Sequence, residues 1–79
     1  MLRLRVLELL QERGKSKYWL YKQLDMSYQN FNNMVNNRTK SIQYVMIETL
    51  CQIFNCTPNE LFFMTDEEII PEQQNKALV

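Results

Sequence analysis

The 79-residue chain has no histidine, one glycine, two prolines and two cysteines, and its nine basic residues balance nine acidic ones. Without histidine, a glycine-rich phosphate loop or an evident nucleophile beside a base, general acid–base and covalent catalysis lack their components. The chain is therefore not expected to be an enzyme. Cys51 and Cys56 have no second pair beside them, too few soft ligands for a structural zinc, so both are expected to be buried or half-buried thiols. No metal and no organic cofactor is implied. No apolar run approaches the roughly 18 residues of a membrane span, and LRLRVLELLQ carries charge where a signal peptide is uniformly apolar. A cytoplasmic, reducing location without membrane contact is the expectation.

What is present is unevenly placed. Residues 1–40 hold eight basic residues (Arg3, Arg5, Arg13, Lys15, Lys17, Lys22, Arg38, Lys40) against Glu8, Glu12 and Asp25, a net +5. Residues 41–79 hold Lys76 against six acidic residues, a net −5. Such a dipole presents a positive field to a polyanion, although ordinary solvated faces can sort this way too.

Helical periodicity runs through most of the chain. Leu2, Val6, Leu9, Leu10 and Arg13 fall on one stripe and predict a first helix from about Leu2 to Arg13, stopped by Gly14 in a left-handed conformation. Ser16 is a fitting N-cap for a short second helix, Lys17 to Leu24. Asp25-Met26-Ser27 makes a break, and Ser27 caps a third helix from Tyr28 to about Asn36 with Phe31, Met34 and Val35 inward. After a polar connector, Ile47, Leu50, Cys51 and Phe54 predict a fourth helix over 44–54. Thr57-Pro58-Asn59-Glu60 spells a capping box with proline at the first helical position, opening a fifth helix from Pro58 to about Phe63. No segment reads as a strand. Residues 67–79 are read as an acidic, polar, partly disordered tail, fraying beyond Pro71.

The third helix carries an unusual load of amides. Asparagine is a mediocre helix former because its amide competes for backbone groups, yet Asn30, Asn32, Asn33, Asn36 and Asn37 crowd SYQNFNNMVNNRT. Such a side chain both accepts and donates, and so can bind the N7 and N6 edge of adenine in a DNA major groove. Helical spacing puts Gln29, Asn32 and Asn33 on one exposed face. Solvated polar residues are the plainer reading of each amide.

Two short helices joined by a tight turn, within five helices, make a helix-turn-helix arrangement. KYWLYKQLDMSYQNFNNMVNNRTKSI followed by IETLCQIFNCTPNEL resembles the Cro and lambda repressor-like family of bacterial and phage regulators. With the first helix the likeness covers about residues 2–63. It implies an all-α, five-helix DNA-binding domain over residues 1–66, and a sequence-specific transcriptional regulator, with repression the expected direction. Its implied base-facing positions are Tyr28, Gln29, Asn32 and Asn33. The implied phosphate contacts are Lys17, Ser27, Asn36, Arg38 and Lys40. The chain departs from the family in having Tyr21 and Trp19 at habitually small positions, Asp25 where glycine is common in the turn, and Phe31 where isoleucine or valine is common. Tyr21 and Phe31 imply a bulkier helix–helix interface, and Asp25 is able to adopt a left-handed backbone at moderate cost, so that the turn can survive.

The expected partner is double-stranded DNA, in the form of a pseudo-palindromic operator bound by a homodimer. Phe62, Phe63, Met64, Ile69 and Ile70 are the candidate dimer surface; closing the monomer core is their other reading. A competing function is a protein-interaction module of the same fold, such as an antitoxin or partner-binding adaptor, suggested by Trp19, Tyr21 and Phe31 and by the acidic carboxy-terminal half. A regulatory protein partner belongs with that alternative.

Overall fold

Leu2-Arg3-Leu4 alternates apolar and basic residues, the period of a half-buried strand, and it forms β1 (Leu2–Leu4) rather than the opening of a helix. The computed structural model describes residues 1–65. After β1 come α1 (Val6–Glu12), α2 (Lys17–Tyr21), α3 (Tyr28–Val35), α4 (Tyr44–Phe54), α5 (Pro58–Leu61) and β2 (Phe62–Met64). The strands pair antiparallel, with Leu2 opposite Met64, Arg3 opposite Phe63 and Leu4 opposite Phe62. The expected tail, 67–79, lies outside the described residues. So do Ile69 and Ile70.

Five helices carry the fold, as the periodicity predicts, and three boundaries differ from expectation by more than one residue. The first helix starts at Val6, because Arg5 donates its backbone N–H across to the Leu61 carbonyl at 2.8 Å and so continues the ribbon. Leu2, expected on the core stripe, is exposed, and Leu4 is buried in its place. The fifth helix stops at Leu61, where Phe62 swings to extended backbone and enters β2. The second helix ends at Tyr21, and residues 22–24 tighten into i→i+3 hydrogen bonds, Gln23 to Leu20 at 3.0 Å and Leu24 to Tyr21 at 3.1 Å. That longer connector makes a left-handed residue at Asp25 unnecessary. Among the described residues, positive φ at a non-glycine position occurs only at Asn37 and Asn55.

The caps follow the sequence closely. Ser16 Oγ accepts from the Trp19 amide at 3.0 Å and Ser27 Oγ from the Asn30 amide at 3.1 Å. The Glu60 carboxylate accepts from the Thr57 N–H at 2.9 Å in the expected capping box.

Three helices end in one and the same Schellman closure, in which a left-handed residue turns the chain so that the next N–H reaches back to the carbonyl five residues earlier. At α1 the left-handed residue is Gly14 (φ 65°) and Lys15 reaches Leu10 at 2.9 Å. At α4 it is Asn55 (φ 53°) and Cys56 reaches Cys51 at 2.9 Å. The two free, half-buried thiols are the apolar pair that commonly accompanies such a closure, and burial pushes the Cys56 thiol up, with Cys51 adding to it. At α3 it is Asn37 (φ 60°) and Arg38 reaches Asn33 at 2.8 Å.

Asn37 has a second task. Its side-chain Oδ1 accepts from the Leu4 N–H at 2.7 Å while its Nδ2 donates to the Leu4 carbonyl at 3.0 Å. A single amide thus replaces a neighbouring strand along the outer edge of β1, where an unpaired edge is a liability. Inside, Leu4, Val6, Leu9, Leu10, Leu20, Leu24, Phe31, Met34, Val35, Leu50, Phe54 and Leu61 make one core with no buried polar side chain among the described residues. Phe31 sits at its centre, fully buried.

Arg5 and Arg13 work inside the molecule. Arg5 binds Glu8 at 2.7 Å, Glu12 at 3.0 Å and the Glu60 carbonyl at 3.0 Å, and the Glu8 hydrogen bond holds its pKa above the ordinary guanidinium value. Arg13 Nε donates to the Phe54 carbonyl at 3.1 Å, at the end of α4 where a cation is favoured.

Replacing Asn37 separates its two tasks. Asn37→Ala loses both amide hydrogen bonds and strains a left-handed backbone, and is expected to lower unfolding free energy by about 2–3 kcal/mol. Asn37→Gly relieves the backbone and loses only the pairing, about 1–2 kcal/mol. Urea titration measures both; full stability in the glycine variant would show that the pairing contributes nothing.

Candidate nucleic-acid interface

The second and third helices are set by what they bury. Leu20 and Leu24 face Phe31, Met34 and Val35 within the core, so the opposite side of α3 is turned outward. Tyr28 is 50% exposed, Gln29 is exposed, and Asn32 and Asn33 are half-buried. The four expected base-facing residues therefore share the outer side of one capped helix and are not packed into the body of the protein.

The large side chains that depart from the family pattern organise this face. Tyr21 stands edge-on to Phe31 at 5.3 Å and to Tyr28 at 5.2 Å, and Tyr28 lies over Phe31 at 6.0 Å. Edge-to-face rings in this range attract through their quadrupoles, so Tyr28 is held by two aromatic neighbours. Sequence reasoning anticipated the bulk of Tyr21 and Phe31 but not this hold on Tyr28. Trp19 packs against Phe54 at 6.3 Å, with Lys15 5.2 Å above its ring.

Cations from the start of α2 and from the loop beyond α3 reach its amides. Lys17 Nζ, from the start of α2, lies 3.5 Å from Asn32 Oδ1, a long contact. Arg38 Nε, from the loop beyond α3, donates to Asn33 Oδ1 at 3.2 Å. Asn36 donates its Nδ2 to the Asn32 backbone carbonyl at 2.8 Å, and so closes the helix end. Ser27 spends one oxygen lone pair on the cap and keeps its hydroxyl hydrogen. Lys40 is exposed in the same loop as Arg38. The expected phosphate contacts thus divide, with Ser27 at the amino end of α3, Lys17 beside Asn32, and Asn36, Arg38 and Lys40 at or beyond its carboxyl end. The Arg38–Asn33 coupling was not read from the sequence; the signal was the Asn-Asn-Arg exit from the helix.

Behind α3 a groove of about 360 Å³ is lined by Met26, Met34, Ile42 and Met46, with Asp25 and Asn30 along it. At the far side the ribbon exposes Phe63 (38%) and Met64 (67%), while Phe62 is half-buried against the core. Among the described residues no group of three or more His, Cys, Asp or Glu side chains is arranged to hold a metal ion, and no helix is long and apolar enough to cross a membrane.

The sequence pattern of the Cro/C1-type HTH DNA-binding domain matches residues 5–67. The chain belongs to that family, and is accordingly a DNA-binding regulatory domain rather than an enzyme. No curated protein and no solved structure matches the chain.

The aromatic hold on Tyr28 is measurable without DNA. Tyr28 ring protons are expected to be displaced from their free values by the ring currents of Tyr21 and Phe31, and Tyr21→Leu is expected to remove the Tyr21 share of that displacement while α3 persists. Unchanged Tyr28 shifts in that variant would mean the contact is not formed in solution.

Proposed function

We propose, with membership of the Cro/C1-type family as the premise, that the chain is a sequence-specific regulator of transcription whose α3 enters the major groove and which represses by occupying its operator. The observation that supports this reading best is the outward comb of Tyr28, Gln29, Asn32 and Asn33 on a helix whose other side is locked in the core. Major-groove edges differ in their donor and acceptor pattern, and amides at helical spacing are suited to read them. Tyr28 is suited to a thymine methyl or a phosphate.

Lys17, Ser27, Asn36, Arg38 and Lys40 serve in this proposal as backbone contacts that set register without reading sequence. So few cations give moderate affinity that falls steeply with salt. On DNA the chain acts as a homodimer on a pseudo-palindromic operator. That part is supported by the exposed apolar residues of the ribbon, Leu2 and Met64 directly opposite each other on one face and Phe63 on the other. Ile69 and Ile70 complete the expected surface but lie outside the described residues. Residues 1–66 form the DNA-binding domain in this reading and 67–79 a separate tail. The two free thiols fit a reducing cytoplasm.

A second reading, a module that binds a regulatory protein partner, as an antitoxin or adaptor does, is favoured by the groove lined by Met26, Met34 and Met46, since methionine suits adaptable contact surfaces. A gel shift with competitor DNA at two salt concentrations separates the readings, because a protein complex survives where DNA binding vanishes.

Selection from random DNA at low salt is expected to enrich two half-sites about one helical turn, roughly 34 Å, apart. On that operator Gln29→Ala is expected to cost about 1–3 kcal/mol at one base position, whereas Lys17→Ala weakens all sequences alike and lowers the salt slope by about one. Selection that enriches no motif contradicts the regulator reading.

A further inference from the structure

The closure that ends α3 is the same as those ending α1 and α4, but its side-chain pair is different in kind. In α1 the two residues brought together are Leu10 and Lys15, in α4 Cys51 and Cys56, and in α3 Asn33 and Arg38. The backbone bond from the Arg38 N–H to the Asn33 carbonyl, 2.8 Å long, returns Arg38 to the side of Asn33. Their side chains then meet, with Arg38 Nε donating to Asn33 Oδ1 at 3.2 Å.

That contact changes what Asn33 can read. An asparagine that binds adenine accepts from N6–H with Oδ1 and donates to N7 with Nδ2. With one Oδ1 lone pair taken by Arg38, Asn33 presents its two Nδ2 hydrogens and a single remaining lone pair that lies beside the guanidinium. Arg38, held at Nε, presents the N–H groups of Nη1 and Nη2. The pair is predominantly a donor surface, and its remaining acceptor lies next to a cation. Guanine offers two adjacent acceptors in the major groove, N7 and O6, whereas adenine sets a donor beside its N7. A donor surface is matched by the first and opposed by the second.

We propose that Asn33 and Arg38 act as one guanine-reading unit, in which Arg38 reads a base edge and Asn33 both orients it and contacts the same base pair. The proposal rests on the reading of α3 as the major-groove helix. It replaces two separate expectations, adenine reading by Asn33 and phosphate contact by Arg38, with a single joint one. The longer Lys17–Asn32 contact has no part in it.

The test is selection from random DNA, followed by sequencing, with the full chain and its Asn33→Ala, Arg38→Ala and Arg38→Lys variants, each checked by circular dichroism for retained helix. Asn33→Ala identifies the position concerned by erasing its preference. The wild type is expected to prefer guanine there. Arg38→Ala removes the guanidinium fork and frees both Oδ1 lone pairs, so the preference moves to adenine, a swing of roughly 5- to 150-fold in relative affinity. Arg38→Lys keeps the charge but not the planar fork, and is expected to lose the guanine preference while retaining binding. If Arg38→Ala weakens every sequence equally and leaves the motif unchanged, Arg38 is a phosphate contact and the proposal is overturned while the regulator reading stands. If the wild type enriches no motif, the groove reading fails and this unit fails with it.

Discussion

The left-handed turn at Asn37 is the constraint on which the rest of the arrangement depends. Its backbone ends α3 and sends Arg38 back to Asn33, and its side-chain amide holds both polar groups of Leu4. Leu4 in turn pairs with Phe62, so one residue ties the end of α3 to a ribbon made from both ends of the described chain. Asparagine suits the position on two counts. It tolerates positive φ better than most residues, and its amide supplies a donor and an acceptor with the separation of a peptide group.

The electrostatic picture shifts once the internal contacts are counted. The +5 of residues 1–40 suggests a broad positive field, yet Arg5 is engaged by Glu8, Glu12 and α5, and Arg13 by the end of α4. Lys15 and Lys22 lie over the rings of Trp19 and Tyr18. Charge near α3 is concentrated in Lys17, Arg38 and Lys40, and the first two of these touch the amides of the comb. In the proposed reading, attraction to a polyanion and the reading of bases are joined in the same side chains.

Much of this was legible before any coordinates. The limits of α4, the left-handed Gly14, the caps at Ser16 and Ser27 and the capping box at Thr57 follow from local signals, because capping depends on residues within one turn. That Gln29, Asn32 and Asn33 share the outer side of α3 follows from helical spacing, whereas Tyr28 comes from the family likeness. What escaped is long-range or short-period. The alternation Leu2-Arg3-Leu4-Arg5 was absorbed into a helical stripe, since four residues of period two weigh little against it, and the partner strand lies some sixty residues on. The role of Asn37 toward Leu4 spans 33 residues, and the Tyr21–Tyr28 and Asn33–Arg38 contacts depend on how the chain reverses at a turn. At Asp25, where glycine is common in the family, the backbone takes no positive φ, and the turn needs no glycine there.

The account is tested most directly at one amide. If Asn37 holds β1 as described, the Leu4 N–H is bonded to a side chain and shielded, and its hydrogen exchange should be slowed almost as much as that of Leu50 or Phe54 in α4. A Leu4 amide that exchanges at the rate of an unstructured peptide, while the α4 amides remain protected, would show the strand to be detached and the Asn37 turn to fasten nothing.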